Sequence, residues 1–154
     1  MKRFKIIMVL MSFMFAVSAL STHSLEPDDV RGLYWNAEKT AKIKIYRAKN
    51  GKYCGKIEFL TEPNTKAGTP KLDPENPNKD LRSRTRMGMV IMKSFEWNAG
   101  EKKWQDGTIY DPSEGKTYDG YMYFENDDLS TLQLRGYVMG MTWLGRTSQW
   151  ERIE

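Results

Sequence analysis

The residues that decide the fold are 104–118, which read WQDGTIYDPSEGKTY. Two runs of β-forming side chains flank the polar segment 111–115, and this arrangement predicts a β-hairpin. Asp111 and Pro112 suit the first two positions of a type I turn, and Gly115 can adopt the positive φ that closes a four-residue loop. Similar turn signals recur along the chain, so this stretch indicates how the whole domain is built.

Eight segments have the length and flanking turn residues of short strands, at residues 30–36, 41–48, 52–60, 87–97, 103–111, 116–125, 129–138 and 146–153. Two of them alternate clearly: Tyr53, Gly55, Ile57 and Phe59 are expected to share one face of the first, and Leu132, Leu134, Gly136 and Val138 one face of the second. Because short loops join consecutive strands, we expect antiparallel neighbours. The pattern predicts an all-β domain, either an up-and-down barrel of about eight strands or a two-sheet sandwich.

The first 24 residues have the order of a secretory signal peptide. Lys2, Arg3 and Lys5 precede the uncharged, apolar run Ile6–Leu20, and small residues follow it. The run is shorter than the ~20 residues of a membrane-spanning helix. We therefore expect cleavage between residues 19 and 24, a single mature domain at 25–154 with no permanent membrane span, and a periplasmic or secreted location.

Removal of the leader changes what the charge implies. The chain has 24 Lys and Arg against 20 Asp and Glu, and three of the basic residues lie in the leader, which leaves 21 against 20. A nearly neutral mature domain argues against nucleic acid as a partner.

Cysteine and histidine usage excludes several kinds of chemistry. The lone Cys54 permits no internal disulfide, and the lone His23 lies in or beside the leader. This argues against catalysis by Ser-His-Asp or Cys-His groups and against imidazole-based metal sites. Cys54 lies between two lysines, so it is either an inert, half-buried thiol or a reactive one able to form a covalent dimer. We expect no cofactor and no catalytic residue.

A long connection, 61–86, separates the third and fourth strands and contains four of the six prolines. Loops of this length are usually functional or disordered. Its oxygen-rich cluster is a weak calcium candidate or a series of Asx turns, and consists of Asp73, Glu75, Asn76, Asn78 and Asp80. Arg82, Arg84 and Arg86 alternate, and either bind an anion such as a phosphate or form a solvated face with local ion pairs.

Several motifs occur together in a fixed order. They are GLYW at 32–35, CGKI at 54–57, NPN at 76–78 with Arg82 and Arg84, GTIYDP at 107–112, GKTY at 115–118, LRGY at 134–137, and GRT at 145–147 with Trp150 and Arg152. In this order they resemble the bacterial exported family known as domain of unknown function 2147. The resemblance covers nearly the whole mature chain and implies a calycin- or lipocalin-like barrel without an assigned activity. It departs at Tyr34, where members often have Trp, and at Met87, where many have a second Cys.

In lipocalin-like barrels an Arg of the last strand commonly packs over an aromatic ring near the first strand. By resemblance, Arg152 or Arg146 over Tyr34 or Trp35 is expected to close one end, with Trp150 nearby.

We expect a non-enzymatic binder of a small, partly apolar or lipid-like ligand. Candidate ligand-binding residues are Tyr110, Tyr118, Tyr121, Tyr123, Tyr137 and Arg135. A packed interior would contradict this hypothesis. The alternatives are an envelope interaction or stress-response module acting through loop 61–86 and, less favoured, an enzyme that works without histidine. The sequence does not predict an oligomeric state.

Overall fold

The computed structural model describes residues 24–153. The signal peptide predicted for residues 1–24 lies outside this range, apart from Ser24. A short 3-10 helix, Pro27–Val30, precedes eight strands: β1 Gly32–Trp35, β2 Ala41–Arg47, β3 Tyr53–Leu60, β4 Val90–Asn98, β5 Lys103–Asp111, β6 Lys116–Phe124, β7 Thr131–Val138 and β8 Met141–Arg152. Short 3-10 turns at Lys79–Leu81 and Glu125–Asp127 complete the elements. No helix within residues 24–153 has the length and apolar character needed to cross a bilayer.

The strands form a closed antiparallel barrel in which each strand pairs with the next. Two residue pairs between β1 and β8 close it, Tyr34 with Arg152 and Trp35 with Glu151. The structure therefore confirms the barrel and rules out the sandwich. Closure matters because the first and last strands, which would otherwise both be edge strands, pair with each other at these positions.

Up-and-down connection gives the barrel two different ends. The loops after β2, β4 and β6 lie at one end, together with the 3-10 helix; we call it the closed end. Large side chains fill the adjacent half of the interior: Tyr34, Met92, Phe95, Trp104 and Met122 are all inaccessible to solvent. The helix is fastened over them, because Trp104 Nε1 donates to Pro27 O at 2.8 Å and Tyr34 Oη donates to Val30 O at 2.9 Å.

The loops after β1, β3, β5 and β7 lie at the opposite end, which we call the open end. The β5–β6 turn forms as the sequence predicts: Gly115 N donates to Asp111 O at 2.8 Å, and Gly115 has a φ of +69°. The β7–β8 turn was not predicted. Met139 and Gly140 both have positive φ, 48° and 70°, so β8 begins at Met141 and not at residue 146.

A β-bulge changes one predicted face. The pairing of β2 with β3 shifts by one residue between Lys42 and Ile43, so that Lys42 pairs with Phe59 and Ile43 with Ile57. The extra residue, Glu58, turns the next side chain over. Phe59 therefore lies outside the barrel, edge-on to Trp35 with ring centroids 6.1 Å apart, whereas Tyr53, Gly55 and Ile57 face inward.

The long connection 61–86 is folded onto the barrel. Backbone bridges join Asn64 to Pro70 and Leu72 to Thr85. The connection also contacts the β5–β6 turn so closely that a Cβ on Gly115 would lie 1.9 Å from Glu75 O. The long connection is therefore not disordered; it folds against the open end of the barrel.

Candidate functional site

A cavity of about 770 Å³ opens at the open end of the barrel. Its inner wall is apolar and formed by Ile43, Ile57, Ile91, Ile109, Leu134 and Trp150. Trp150, Ile43 and Ile57 are nearly inaccessible to solvent, so they form the floor, above the packed aromatic half of the interior. The barrel is thus filled at one end and hollow at the other.

A row of glycines explains where the filling stops. Gly107, Gly120 and Gly136 pair with one another across β5, β6 and β7, and Gly136 pairs with Arg146 of β8. The Phe95 ring occupies the space at Gly107, and the Ile109 side chain that at Gly120, since added Cβ atoms would lie 2.4 Å and 2.6 Å from them. At Gly136 the atom nearest to an added Cβ is 3.6 Å away, in Tyr118, so this position has room for a Cβ without displacing a neighbour.

The placement of Arg146 corrects the sequence prediction, which grouped it with the closing residues. Arg146 shares the inner face of β8 with Leu144, Ser148 and Trp150, and all four line the cavity. The alternation of residues along β8 indicates that Arg146 faces inward, but the sequence prediction starts this strand at residue 146 and so leaves the alternation incomplete. Within residues 24–153 the Arg146 guanidinium has no hydrogen bond, ion pair or ring contact.

Other charged side chains at the cavity mouth are engaged. Arg86 donates through Nε to Leu72 O at 2.8 Å and through a terminal nitrogen to Pro112 O at 2.9 Å. Glu38 accepts from Asn36 Nδ2 at 3.0 Å, and Asp111 accepts from Ser113 N at 2.8 Å.

Glu114 and its neighbours account for much of the remaining polarity at the mouth. Its carboxylate accepts from Tyr118 Oη at 2.9 Å and pairs with Lys116 Nζ at 3.2 Å. The Tyr118 hydrogen bond and then Lys116 lower the pKa of Glu114 below its ordinary value, and the bond to Glu114, followed by burial, raises the pKa of Tyr118. Of the predicted ligand-binding tyrosines, Tyr110, Tyr118 and Tyr137 line the cavity.

The β7–β8 hairpin extends the apolar surface beyond the mouth. Met139 and Trp143 are 83% and 73% exposed, and Val138 and Leu144 are also exposed while lining the cavity. The apolar wall is therefore continuous with the tip of this hairpin.

Tyr110 and Asp73 anchor the connection 61–86 to β5. Asp73 is inaccessible to solvent, and its carboxylate accepts from Tyr110 Oη at 2.7 Å, Asn76 Nδ2 at 2.8 Å and Arg84 Nε at 2.9 Å. Burial raises the pKa of Asp73, but these three donors outweigh it, so the pKa lies below the ordinary value. Burial and the Asp73 contact raise the pKa of Tyr110.

This network occupies the arginines considered for anions and three of the residues considered for calcium, Asp73, Asn76 and Asn78. Asn76 and Asn78 cap local turns through Asn78 N and Asp80 N, while Asp73 is held by the donors just described. Across residues 24–153 no three His, Cys, Asp or Glu side chains are arranged to hold a metal ion. Arg82 donates to Asn76 O at 2.8 Å, so it, Arg84 and Arg86 all bind groups of the connection or the β5–β6 turn.

The remaining predicted ligand-binding residues lie elsewhere. Met122 faces inward, so Tyr121 and Tyr123 face outward, where Tyr121 stacks at 6.0 Å on Tyr123 and 6.2 Å on Tyr137. The predicted liners Tyr121 and Tyr123 are thus on the wrong face, because the alternation places Gly120, Met122 and Phe124 inside. Arg135 donates to Thr142 O and to Thr147 Oγ1 and is not among the cavity-lining residues.

Arg152 lies at the closed end. Its guanidinium carbon is 5.1 Å from the Tyr34 ring centroid and 5.5 Å from that of Phe124, and it donates to Leu129 O, Arg31 O and Asp29 O. A planar group with five donors suits this position, where a ring and several strand-end carbonyls converge. Trp35 packs outside the barrel, and Trp150 lies in the cavity floor, so neither shares this closing contact.

Cys54 is half-buried on β3, opposite Tyr46 of β2. Its strand neighbours Tyr53 and Gly55 face the interior, so the thiol points to the outer surface.

The closed eight-stranded barrel, with a capped end and an open-ended cavity, defines a lipocalin-like protein. The chain belongs to the bacterial family described as "Uncharacterized protein conserved in bacteria (DUF2147)", whose model matches residues 32–152. A solved structure, protein HP1028 from the human pathogen Helicobacter pylori, described as belonging to the lipocalin family, is similar with a TM-score of 0.68 and 22% identity, covering 81% of this chain and 83% of that one. A search of curated proteins returned no match.

Proposed function

We propose that this protein is a non-enzymatic binding protein that holds a small, partly apolar molecule in the cavity at the open end. The observation that carries the proposal is the cavity itself: about 770 Å³, with an apolar floor and direct access from solvent. Ligand sites in proteins commonly span about 300–1,000 Å³ and combine such walls with a few polar groups.

The residues around the cavity support binding more than catalysis. The only histidine of the chain, His23, precedes the described residues 24–153, and no imidazole is among the residues that line the cavity. Glu114, Asp111 and Arg86 form hydrogen bonds or ion pairs that hold the mouth together, and a serine–carboxylate contact there, Ser113 with Asp111, belongs to the β5–β6 turn.

We also propose that the protein works outside the cytoplasm. The support is the order of residues 1–24: a basic start, an uncharged apolar run and small residues. Expression of the full chain in a bacterial host, cell fractionation and N-terminal sequencing test this. A periplasmic product that starts between residues 20 and 25 is expected, and an unprocessed cytoplasmic product refutes export.

The alternative of an interaction module is less supported, because the arginines of connection 61–86 are bonded to that connection and to the β5–β6 turn. No specific observation favours a partner protein there.

The binding function is tested with an uncharged, environment-sensitive naphthylamine dye. The wild-type barrel is expected to bind it with a rise in fluorescence. Gly136→Val should reduce the affinity by about tenfold, because its methyl groups would enter the cavity from a wall position that has room for a Cβ. The matched control is Gln105→Val on the outer face of β5, which adds a similar apolar side chain away from the cavity. Absence of dye binding, or equal affinities of both variants, refutes the proposal.

A further inference from the structure

We infer that the ligand is an amphiphile with an anionic head, a carboxylate or a phosphate, which Arg146 binds at the cavity mouth while the apolar tail lies over Trp150. This inference rests on the proposed binding function and specifies its ligand class. It depends on one contrast: Arg146 faces the cavity without a partner, whereas the other charged groups there are bonded.

The position of Arg146 is fixed by the sheet. It pairs with Gly136 of β7, and the floor residue Trp150 is four positions further along β8. Since strand residues advance about 3.3 Å each, the Cα atoms of the two residues lie roughly 13 Å apart along the strand. Because Gly136 has no side chain, the space beside Arg146 is open toward the cavity.

An unpaired guanidinium on an apolar wall is a selective feature. Arginine presents five donors in a planar fork that matches a carboxylate or phosphate in two parallel hydrogen bonds. Below it, apolar side chains such as Ile43 and Leu134 accept only a tail without hydrogen-bonding groups. The two zones together fit a molecule with one anionic end and one apolar end.

Three carboxylates also line this cavity, and their contacts determine whether an anion is tolerated. Glu114 pairs with Lys116 and Tyr118, Asp111 accepts from Ser113, and Glu38 accepts from Asn36. Arg86 adds a second positive charge at the mouth, although its donors bind backbone carbonyls. Arg146 therefore remains the one cation of the cavity, within the described residues, whose donors are all available.

The test uses three ligands with the same tail and different heads: decanoate, decyl phosphate and decanol. Their affinities are measured at neutral pH by displacement of the uncharged dye from the wild-type barrel, Arg146→Gln and Arg146→Lys. The control variant is Arg47→Gln, which removes an exposed arginine on β2 at the closed end. Inorganic phosphate alone is included to distinguish an amphiphile from a free anion.

We expect the wild-type barrel and Arg47→Gln to prefer both anionic ligands over decanol by about tenfold, the effect of one charge-assisted contact. Arg146→Gln should remove this preference while decanol still binds, and Arg146→Lys should retain part of it. Equal binding of the three ligands by the wild type overturns this inference but leaves the binding function intact. If none of the three ligands binds, both the binding function and the inferred ligand class are overturned. If inorganic phosphate alone displaces the dye, the ligand is a free anion and the inference of an amphiphile is overturned.

Discussion

Substitution of Gly115 tests how the connection 61–86 is attached to the barrel. Gly115 has a φ of +69°, and an added Cβ would lie 1.9 Å from Glu75 O and 2.7 Å from Glu75 C. Both atoms belong to backbone, so rotation of a side chain cannot relieve the clash. Gly115→Ala must therefore either distort the turn or displace the connection.

A matched glycine separates these two effects. Gly140 has nearly the same φ, +70°, but nothing lies within 4 Å of its added Cβ. Gly140→Ala should reduce the free energy of unfolding by about 1 kcal/mol, the cost of a non-glycine residue in the left-handed region. Gly115→Ala should cost about 2–4 kcal/mol, because overpacking adds to the same backbone strain.

Urea denaturation of both variants measures the two losses, with the wild type as reference. Limited proteolysis then locates the damage: new cleavage sites in residues 61–86 are expected for Gly115→Ala and not for Gly140→Ala. Equal losses of stability, or an unchanged proteolysis pattern, would refute the close contact between Glu75 and the turn.

Three further perturbations follow from the other contacts. Asp73→Asn should lower the free energy of unfolding by about 2–4 kcal/mol at neutral pH, because it disrupts a buried network. Since the pKa of Asp73 is lowered in the folded state, this contribution is present above the ordinary aspartate pKa and is lost as the pH falls through the folded value. The difference from wild type in urea titrations should therefore shrink in acid, and a constant difference would contradict the network. Arg152→Met should lower the free energy of unfolding by about 3 kcal/mol or more in the same assay, because carbonyls near the closed end lose their donor. Arg152→Lys should restore little of this loss, and full restoration by Lys would show that charge alone suffices. Gly120→Ala should lower the free energy of unfolding by about 1–3 kcal/mol, since its Cβ would lie 2.6 Å from Ile109 and 3.0 Å from Arg135 O. Gly136→Ala should leave it nearly unchanged. Similar thermal midpoints for the two variants would refute the explanation of the cavity by the row of glycines.

Turn chemistry and alternation predicted about eight antiparallel strands but left a barrel and a sandwich as alternatives, and the family resemblance implied the barrel. Asp111, Pro112 and Gly115 specified their turn because each residue suits one backbone conformation. Met139 and Gly140 form an equally tight turn, but methionine carries no such preference, so the start of β8 was misplaced. The shifted face of Phe59 has a similar origin, since a bulge depends on the partner strand and not on local sequence.

The site was harder to predict than the fold, because its residues are ordinary ones in particular positions. The phenol groups of Tyr121 and Tyr123 suggest ligand contacts, yet the sheet places Met122 inside and both rings outside. Arg146 belongs to the GRT motif at 145–147, but that motif indicates no role, and only the alternation of Arg146 with Leu144, Ser148 and Trp150 indicates the cavity. The role of Tyr110 follows from its hydrogen bond to Asp73, which no local pattern indicates because the two residues are 37 positions apart in the sequence.

The unequal halves of the barrel are connected energetically. A hollow lined by apolar side chains forfeits packing contacts, and this loss destabilises a fold in proportion to the empty volume. Here the closed half concentrates the large side chains: Trp104 packs at 4.5 Å against Trp97 and at 5.7 Å against Phe124, and Phe95 fills the space at Gly107. Because this half and the Arg152 contacts stabilise the barrel, the residues around Gly136 and Arg146 can leave space unfilled. The closed end therefore supplies the stability, and the binding that we propose uses the open end of the same eight strands.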